Sequence, residues 1–143
     1  MSRDPNCVFC KIIAVEIPAS VVYESESVFA FLDNGPLAEG HLLVVSRTHY
    51  TSLVQMPSAE CAQLATILPI LARAVCDVVQ ASGFNILVND GAAAGQVVPH
   101  THFHIIPRST KDGLGYRWNA GRYEGDRMQE LAGAMQETLH RHV

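Results

Sequence analysis

Apolar residues recur along this chain with two periods, and the periods divide it into strands and helices. Val21-Val22-Tyr23 is β-branched and aromatic and predicts a short strand; Val28–Leu32 (VFAFL) predicts a second. Asp33-Asn34-Gly35-Pro36 then breaks the run with strong turn formers. Residues 41–46 (HLLVVS) predict a third strand, apolar enough to be buried on both faces. Residues 84–88 (FNILV) and 102–107 (HFHIIP) predict a fourth and a fifth, separated by a Gly- and Ala-rich loop over 89–98.

Between the third and fourth strands the spacing changes. Cys61, Leu64, Leu68, Leu71, Val75 and Val79 follow at steps of three and four, the stripe of an amphipathic helix. Ser58 after Pro57 is the predicted N-cap, Gly83 the predicted stop, and Pro69 is expected to kink the helix or break it locally. A shorter amphipathic segment over 7–17 predicts one or two helical turns ending near Pro18. Near the end, Asp126 and Gln129 have capping-box spacing, and Met128, Leu131, Met135 and Leu139 form another stripe. Short connections between strands suit an antiparallel sheet with helices packed on it, an α+β fold.

One domain over residues 1–143 fits the length, and 48% hydrophobic with 17% charged residues is a globular composition. The net charge of −4 argues against general binding to a nucleic-acid duplex, though a local pocket for a small anion is compatible with it. No run of about 18 apolar residues is counted, so no membrane span is expected. Residues 1–5 (MSRDP) lack the apolar core of a signal peptide, and a cytoplasmic location is expected. In that compartment the four cysteines read as thiols or metal ligands rather than disulfides. Cys61 and Cys76, on the long helix, read as small core residues.

Three of the seven histidines are His100, His102 and His104. In an extended chain alternate residues share a face, so these three project together while Phe103 and Ile105 point away. Each imidazole has two nitrogens that need partners, which makes a row of them a poor core. It suits a site that handles negative charge and protons near neutral pH; a solvated strand face or a metal site of the three rings are the competing readings. Asn89-Asp90-Gly91 and Gly95-Gln96 just upstream favour a phosphate guest, because glycine lets backbone N–H groups approach an anion. Cys7 and Cys10 have the Cys-x-x-Cys spacing of a tetrahedral metal site, with a redox pair as the weaker alternative.

The segment His100-Thr101-His102-Phe103-His104-Ile105-Ile106 resembles the signature of the histidine-triad family. Cys7-Val8-Phe9-Cys10-Lys11-Ile12-Ile13 with Glu16-Ile17-Pro18, then Phe31-Leu32-Asp33, Gly40-His41, Asn89-Asp90-Gly91 and Gly95-Gln96 follow in the family's order. The resemblance covers residues 7–108 and leaves 109–143 as a C-terminal extension.

It implies a five-stranded antiparallel sheet with a long central helix and a C-terminal helix, paired in a two-fold homodimer. It also implies a nucleotide hydrolase or nucleotidyl transferase acting on a purine nucleoside phosphoramidate or a dinucleoside polyphosphate. His102 would be the nucleophile at the α-phosphate, His104 would touch the non-bridging oxygens or the leaving group, and His41 would join a proton relay. His41 also reads simply as a strand-end histidine, and Asp33, the implied ribose-binding acid, also reads as a turn former. Asn89, Gly95, Gln96 and Val97 would hold the phosphate, with Val97 where many relatives carry Ser or Thr. Phe9, Ile12 and Phe31 would pack the base, and otherwise read as ordinary core. The zinc-bearing branch of the family implies Cys7, Cys10, His49 and His100 around one structural Zn2+. Trp118 and Arg122 are candidates to reach a partner's site. A nucleotide-binding regulatory module with little turnover is the alternative function, and a zinc-stabilised domain with purely structural histidines is a third.

Overall fold

The computed structural model describes residues 2–115 and 119–142. Helix α1 (Val8–Ile13) leads into strands β1 (Val21–Glu24), β2 (Val28–Leu32) and β3 (Leu42–Ser46). Helix α2 (Ser58–Val79), strands β4 (Gly83–Val88) and β5 (His102–Arg108), and helix α3 (Arg127–His142) follow. The strands form one sheet in the order β1-β2-β3-β5-β4, antiparallel at every pairing. The long crossover through α2 places β5, the histidine-bearing strand, between β3 and β4 rather than at an edge.

Strand alternation sends side chains to two different cores. On one face Val28, Ala30, Leu42, Val44 and Ile105 meet Leu64, Leu68, Leu71, Ala72 and Val75 of α2. On the other, Phe29, Phe31, Leu43 and Val45 meet Cys7, Phe9 and Cys10 at α1. β3 sits between the two cores and is buried along its whole length, as its unbroken apolar run predicts. The second face is only partly covered, because α1 is six residues long. The space left beside it becomes the site.

Several local expectations are corrected. Ser58 is the first helical residue of α2; Pro57 occupies the N-cap and makes no side-chain capping bond. The helix ends on Gln80 in the left-handed conformation (φ 59°), and Gly83 opens β4 instead of stopping the helix. Pro69 is exposed and lies inside α2, which runs on past it as one helix but without the N–H that would bond back to the preceding turn. α1 stops at Ile13, short of Pro18, with Cys7 as its N-cap accepting from the Cys10 N–H. By length and composition α2 is apolar enough to cross a membrane, contrary to the count made on the sequence. Its buried stripe packs on β3, β4 and β5, so it is a core helix of this sheet. The stripe of α3 leaves Met128, Met135 and Leu139 exposed.

Gly40 shows how the crossing elements fit. Its φ is 91°, and a Cβ there would lie 3.0 Å from Val79 Cγ1 and 3.1 Å from Val75 Cγ1. Glycine alone permits both the backbone conformation and the approach of this turn to α2.

Candidate active site

A cavity of about 980 Å³ opens on the face of the sheet that α1 only partly covers. Its floor is Phe31, Leu43, His102 and His104, from three neighbouring strands. Phe9 and Ile12 of α1, with Ile17 and Pro18 beyond it, make an apolar wall. Asp33 and Asn34 close one side, and Asn89, Gly95, Val97 and Val98 of the β4–β5 loop close the other. Strand order fixes this arrangement: β2 and β4 flank the β3–β5 pair, so Asp33 and Asn89 stand on opposite sides of the two imidazoles.

The histidines are held in defined tautomers. A carbonyl can only accept, so His102 Nδ1–H donates to the His100 carbonyl at 2.6 Å and leaves the Nε2 lone pair free. The His102 ring is 6% exposed and stands edge-on to Phe9, with ring centroids 5.0 Å apart. Behind the floor, Leu37 N–H donates to His41 Nδ1 at 3.1 Å, so the proton of a neutral His41 sits on Nε2. That Nε2–H donates to His104 Nδ1 at 2.9 Å, which puts the His104 proton on Nε2.

Asp33 has two jobs. Its Oδ1 accepts from Gly35 N–H at 2.8 Å, the turn predicted from sequence, while its Oδ2 lies 3.7 Å from His41 Nε2. Burial, with the nearby His102 and His41, pushes His104 down to about 4; Asp33 offsets this only in part. His41 is also lowered by burial, against the pull of Asp33.

The β4–β5 loop at this side of the cavity is pinned from below. Gln96 does not line the cavity: its Oε1 accepts from Gly91 N–H at 2.8 Å, and its amide donates to the carbonyls of Thr51 and Val98. Gly91 and Gly95 take φ of 89° and 94°, which the tight loop requires. Asp90 faces away, accepting from Leu53 N–H at 2.7 Å and Ser52 Oγ–H at 3.1 Å. Val97 is 90% exposed at the rim.

The expectation that His100 shares a row with the other two histidines is corrected. β5 begins at His102, and His100 precedes it with its ring turned into a separate cluster. Its Nε2–H donates to the Ser46 carbonyl at 2.7 Å, leaving Nδ1 as a free donor atom. That Nδ1 lies 3.4 Å from Cys7 Sγ, 3.7 Å from Cys10 Sγ and 3.2 Å from His49 Nδ1, and Cys10 Sγ is 3.4 Å from His49 Nδ1. A tetrahedral ion with bonds of about 2.0–2.3 Å needs ligand separations of about 3.3–3.8 Å. The four residues therefore form a potential metal site, and these four separations, 3.2–3.7 Å, lie close to the edges of one tetrahedral ion. Burial pushes the Cys7 thiol up, and a bound cation is what would hold it as thiolate. Asp4 Oδ2, 3.9 Å from His49 Nε2, stands in the outer shell, a residue the sequence reading did not single out.

Cys61 and Cys76 are free and half-buried on α2, apart from this cluster. Trp118 lies outside the described residues, and Arg122 is exposed in the C-terminal extension. The cavity residues missed in the sequence, notably Val8, Ile17, Pro18 and Val98, are ordinary apolar residues whose role comes from the half-covered sheet face.

A half-open α+β sheet with paired imidazoles in a deep cavity, and a thiol–imidazole cluster one strand-end away, defines the class of domain. The chain belongs to the HIT domain family, whose model matches residues 14–111. It is 43% identical over 109 residues to Adenylylsulfatase HINT3 of Arabidopsis thaliana, covering 76% of this chain and 55% of that protein, so the chain spans about half of that relative's length. It is 34% identical over 147 residues to Adenosine 5'-monophosphoramidase HNT1 of Candida albicans, covering 97% and 95%. A solved structure, a Zn-bound histidine triad family protein from Mycobacterium smegmatis, superposes with TM-score 0.73 at 37% identity, covering 94% of this chain and 97% of that one.

Proposed function

We propose that this chain is a nucleotide hydrolase that attacks the α-phosphate of a purine nucleoside phosphoramidate or dinucleoside polyphosphate through His102. The observation that carries the reading is the His102 ring, fixed by the His100 carbonyl so that a bare Nε2 lies on the cavity floor. The names of the two relatives add support, since adenylyl sulfate and adenosine monophosphoramidate both join an adenylyl group to a leaving group.

The chemistry proceeds in two displacements. The Nε2 lone pair of His102 forms a bond to the α-phosphorus as the bond to the leaving atom breaks. The leaving group departs with that electron pair and takes a proton from solvent. His104 Nε2–H donates to a non-bridging oxygen or to the leaving atom, and His41 holds His104 in that tautomer. Water then attacks the nucleotidyl-histidine, the P–N bond breaks with its electron pair returning to Nε2, the water proton passes to solvent, and the nucleoside monophosphate carries away the oxygen. Asp33 accepts from the ribose hydroxyls, Phe9, Ile12 and Phe31 pack the base, and Asn89 with the backbone at Gly95 and Val97 holds the phosphate. Gln96 contributes by pinning that loop.

Cys7, Cys10, His49 and His100 would hold one structural Zn2+, with all four positions filled and none left for water. When bound, the ion ties the N-terminal segment to the start of the catalytic strand. The functional unit is a homodimer: β4 is an edge strand with Phe84, Ile86 and Leu87 exposed, and Ile70 and Val78 of α2 are exposed as well.

The test is AMP release from an adenosine phosphoramidate and from a diadenosine polyphosphate, by wild type and His102→Ala, with zinc content and folding checked on both. Release that disappears in the variant supports the reading. No release by folded, zinc-loaded wild type would overturn it in favour of a nucleotide-binding module.

A further inference from the structure

We infer that Asp90, which faces away from the cavity, is a positioning residue: it fastens the phosphate end of the site to residues 51–53 and so sets where the Asn89 amide stands. The inference rests on the nucleotide reading above and adds to it a residue outside the cavity.

β4 ends at Val88, and the chain leaves the sheet there. The next two side chains face opposite ways. Asn89 lines the cavity. Asp90 reaches back to the segment between β3 and α2, where its Oδ2 accepts from Leu53 N–H at 2.7 Å and from Ser52 Oγ–H at 3.1 Å. Fixing the one neighbour therefore fixes the other. The Asn89 amide also stands beside Gly95, since a Cβ at residue 95 would lie 3.9 Å from Asn89 Nδ2. Gly95 is held in turn through Gln96, whose amide donates to the Thr51 carbonyl at 3.0 Å. The loop thus has an anchor at each end of its phosphate-holding part, and both anchors end on three successive residues.

Those three residues make a firm base. Thr51 donates to Gln55 Oε1 from N–H at 3.2 Å and from Oγ1–H at 3.1 Å, Ser52 Oγ accepts from Val54 N–H at 3.3 Å, and Leu53–Gln55 closes a short 3-10 turn. The Tyr50 carbonyl, one residue earlier, accepts from Thr101 N–H at 2.7 Å and Thr101 Oγ1–H at 2.9 Å, so the same segment also carries the approach to β5. Without Asp90 the Asn89 end of the loop must be ordered when the phosphate binds, and that ordering is subtracted from affinity. The negative charge of Asp90 is not what serves the site, because through space it opposes an anion. Asparagine offers one oxygen with two lone pairs and can take both bonds; alanine can take neither, although both substitutions remove the same charge.

The experiment titrates AMP and adenosine into wild type, Asp90→Asn, Asp90→Ala and Ser52→Ala, with folding and zinc content checked, and measures AMP release from an adenosine phosphoramidate on the same samples. Asp90→Ala should weaken AMP by about tenfold, the size of one net hydrogen bond, and leave adenosine within about twofold. Asp90→Asn should bind both as wild type does. Ser52→Ala should weaken AMP less than Asp90→Ala, and combining the two should lose less than the product of their effects, because they share one bond. AMP affinity unchanged in Asp90→Ala, an equal loss for adenosine, or an Asn variant as weak as the Ala variant would overturn the inference and leave the hydrolase reading standing. Wild type that binds AMP but releases none from the phosphoramidate would overturn the hydrolase reading alone, the role of Asp90 then being read from binding. Wild type that binds no AMP would overturn both.

Discussion

The Nδ1 of His102 lies 2.6 Å from the carbonyl oxygen of His100, whose own ring points into the Cys7–Cys10–His49 cluster. One residue thus takes part in both centres, with its side chain in the cluster and its main chain setting the tautomer of the proposed nucleophile. Metal removal is therefore expected to act on catalysis at a distance. Chelation, or Cys10→Ser, should abolish zinc binding, lower thermal stability and reduce kcat more than it raises KM for the nucleotide. Where zinc stands a thousandfold above its dissociation constant, the lost stabilisation is about 4 kcal/mol. Zinc analysis, thermal melts and steady-state kinetics on the same samples check this. Unchanged kcat and melting after complete zinc removal would show that the two centres are independent.

This coupling marks where the sequence was legible. The five strands, α2, the turn at Asp33 and the cysteine spacing follow from periodicity and turn chemistry. Alternation placed Phe103 and Ile105 opposite His102 and His104, and Ile105 is buried against α2 with Phe103 packed beside it. Alternation failed at His100 because the strand has not yet begun there and the chain turns it toward Ser46. Helix ends were also misread: Gln80 adopts a left-handed conformation that local propensity assigns to glycine, and Gly83 is used as a strand residue. The apolar cavity wall had no distinctive signal, since Ile17 and Pro18 differ from core residues only in being left uncovered.

Acid should weaken this domain through His104. Its pKa is held at about 4 in the native state against 6.5 in the unfolded chain. Between those values the unfolded chain binds a proton that the native state refuses, so stability rises with pH across the window and falls as pH drops from about 6.5 toward 4. His41, also lowered by burial, contributes with the same sign. Urea titrations between pH 4.5 and 7.5 should show this slope, and His104→Gln should flatten it at equal zinc occupancy. An identical slope in the variant would remove His104 as its source. Above pH 6.5 His104 stays neutral, as accepting the His41 Nε2–H at its Nδ1 requires.

Gly40→Ala is expected to destabilise the domain by about 1–3 kcal/mol, from a positive φ combined with overpacking. The new Cβ would meet Val75 and Val79, whose β-branched side chains are held by α2. The turn must shift to relieve this, and His41 is the next residue. Chemical denaturation should register the loss, and kcat should fall as His41 moves from its 2.9 Å contact with His104. Val79→Ala in the same background should restore part of both.

Val15 ends the turn after α1 with φ 62°, a conformation that β-branched residues avoid. The turn is closed by Val15 N–H to the Ile12 carbonyl and by Glu16 N–H to the Lys11 carbonyl at 2.8 Å, so the backbone is held although the side chain is 85% exposed and makes no core contact. Left-handed backbone costs a non-glycine residue about 1–2 kcal/mol, and glycine costs somewhat less than that in unfolded-state entropy. Val15→Gly should therefore raise stability by up to about 1 kcal/mol, read as an increase in the urea midpoint at constant slope. Ile17 and Pro18, two and three residues on, form the apolar wall of the cavity. If the strained turn serves to hold that wall, the same variant should raise KM for the nucleotide even as it stabilises the fold. An unchanged KM would show instead that the hydrogen bonds to Lys11 and Ile12 alone position the wall, and that the strain at Val15 is incidental to binding.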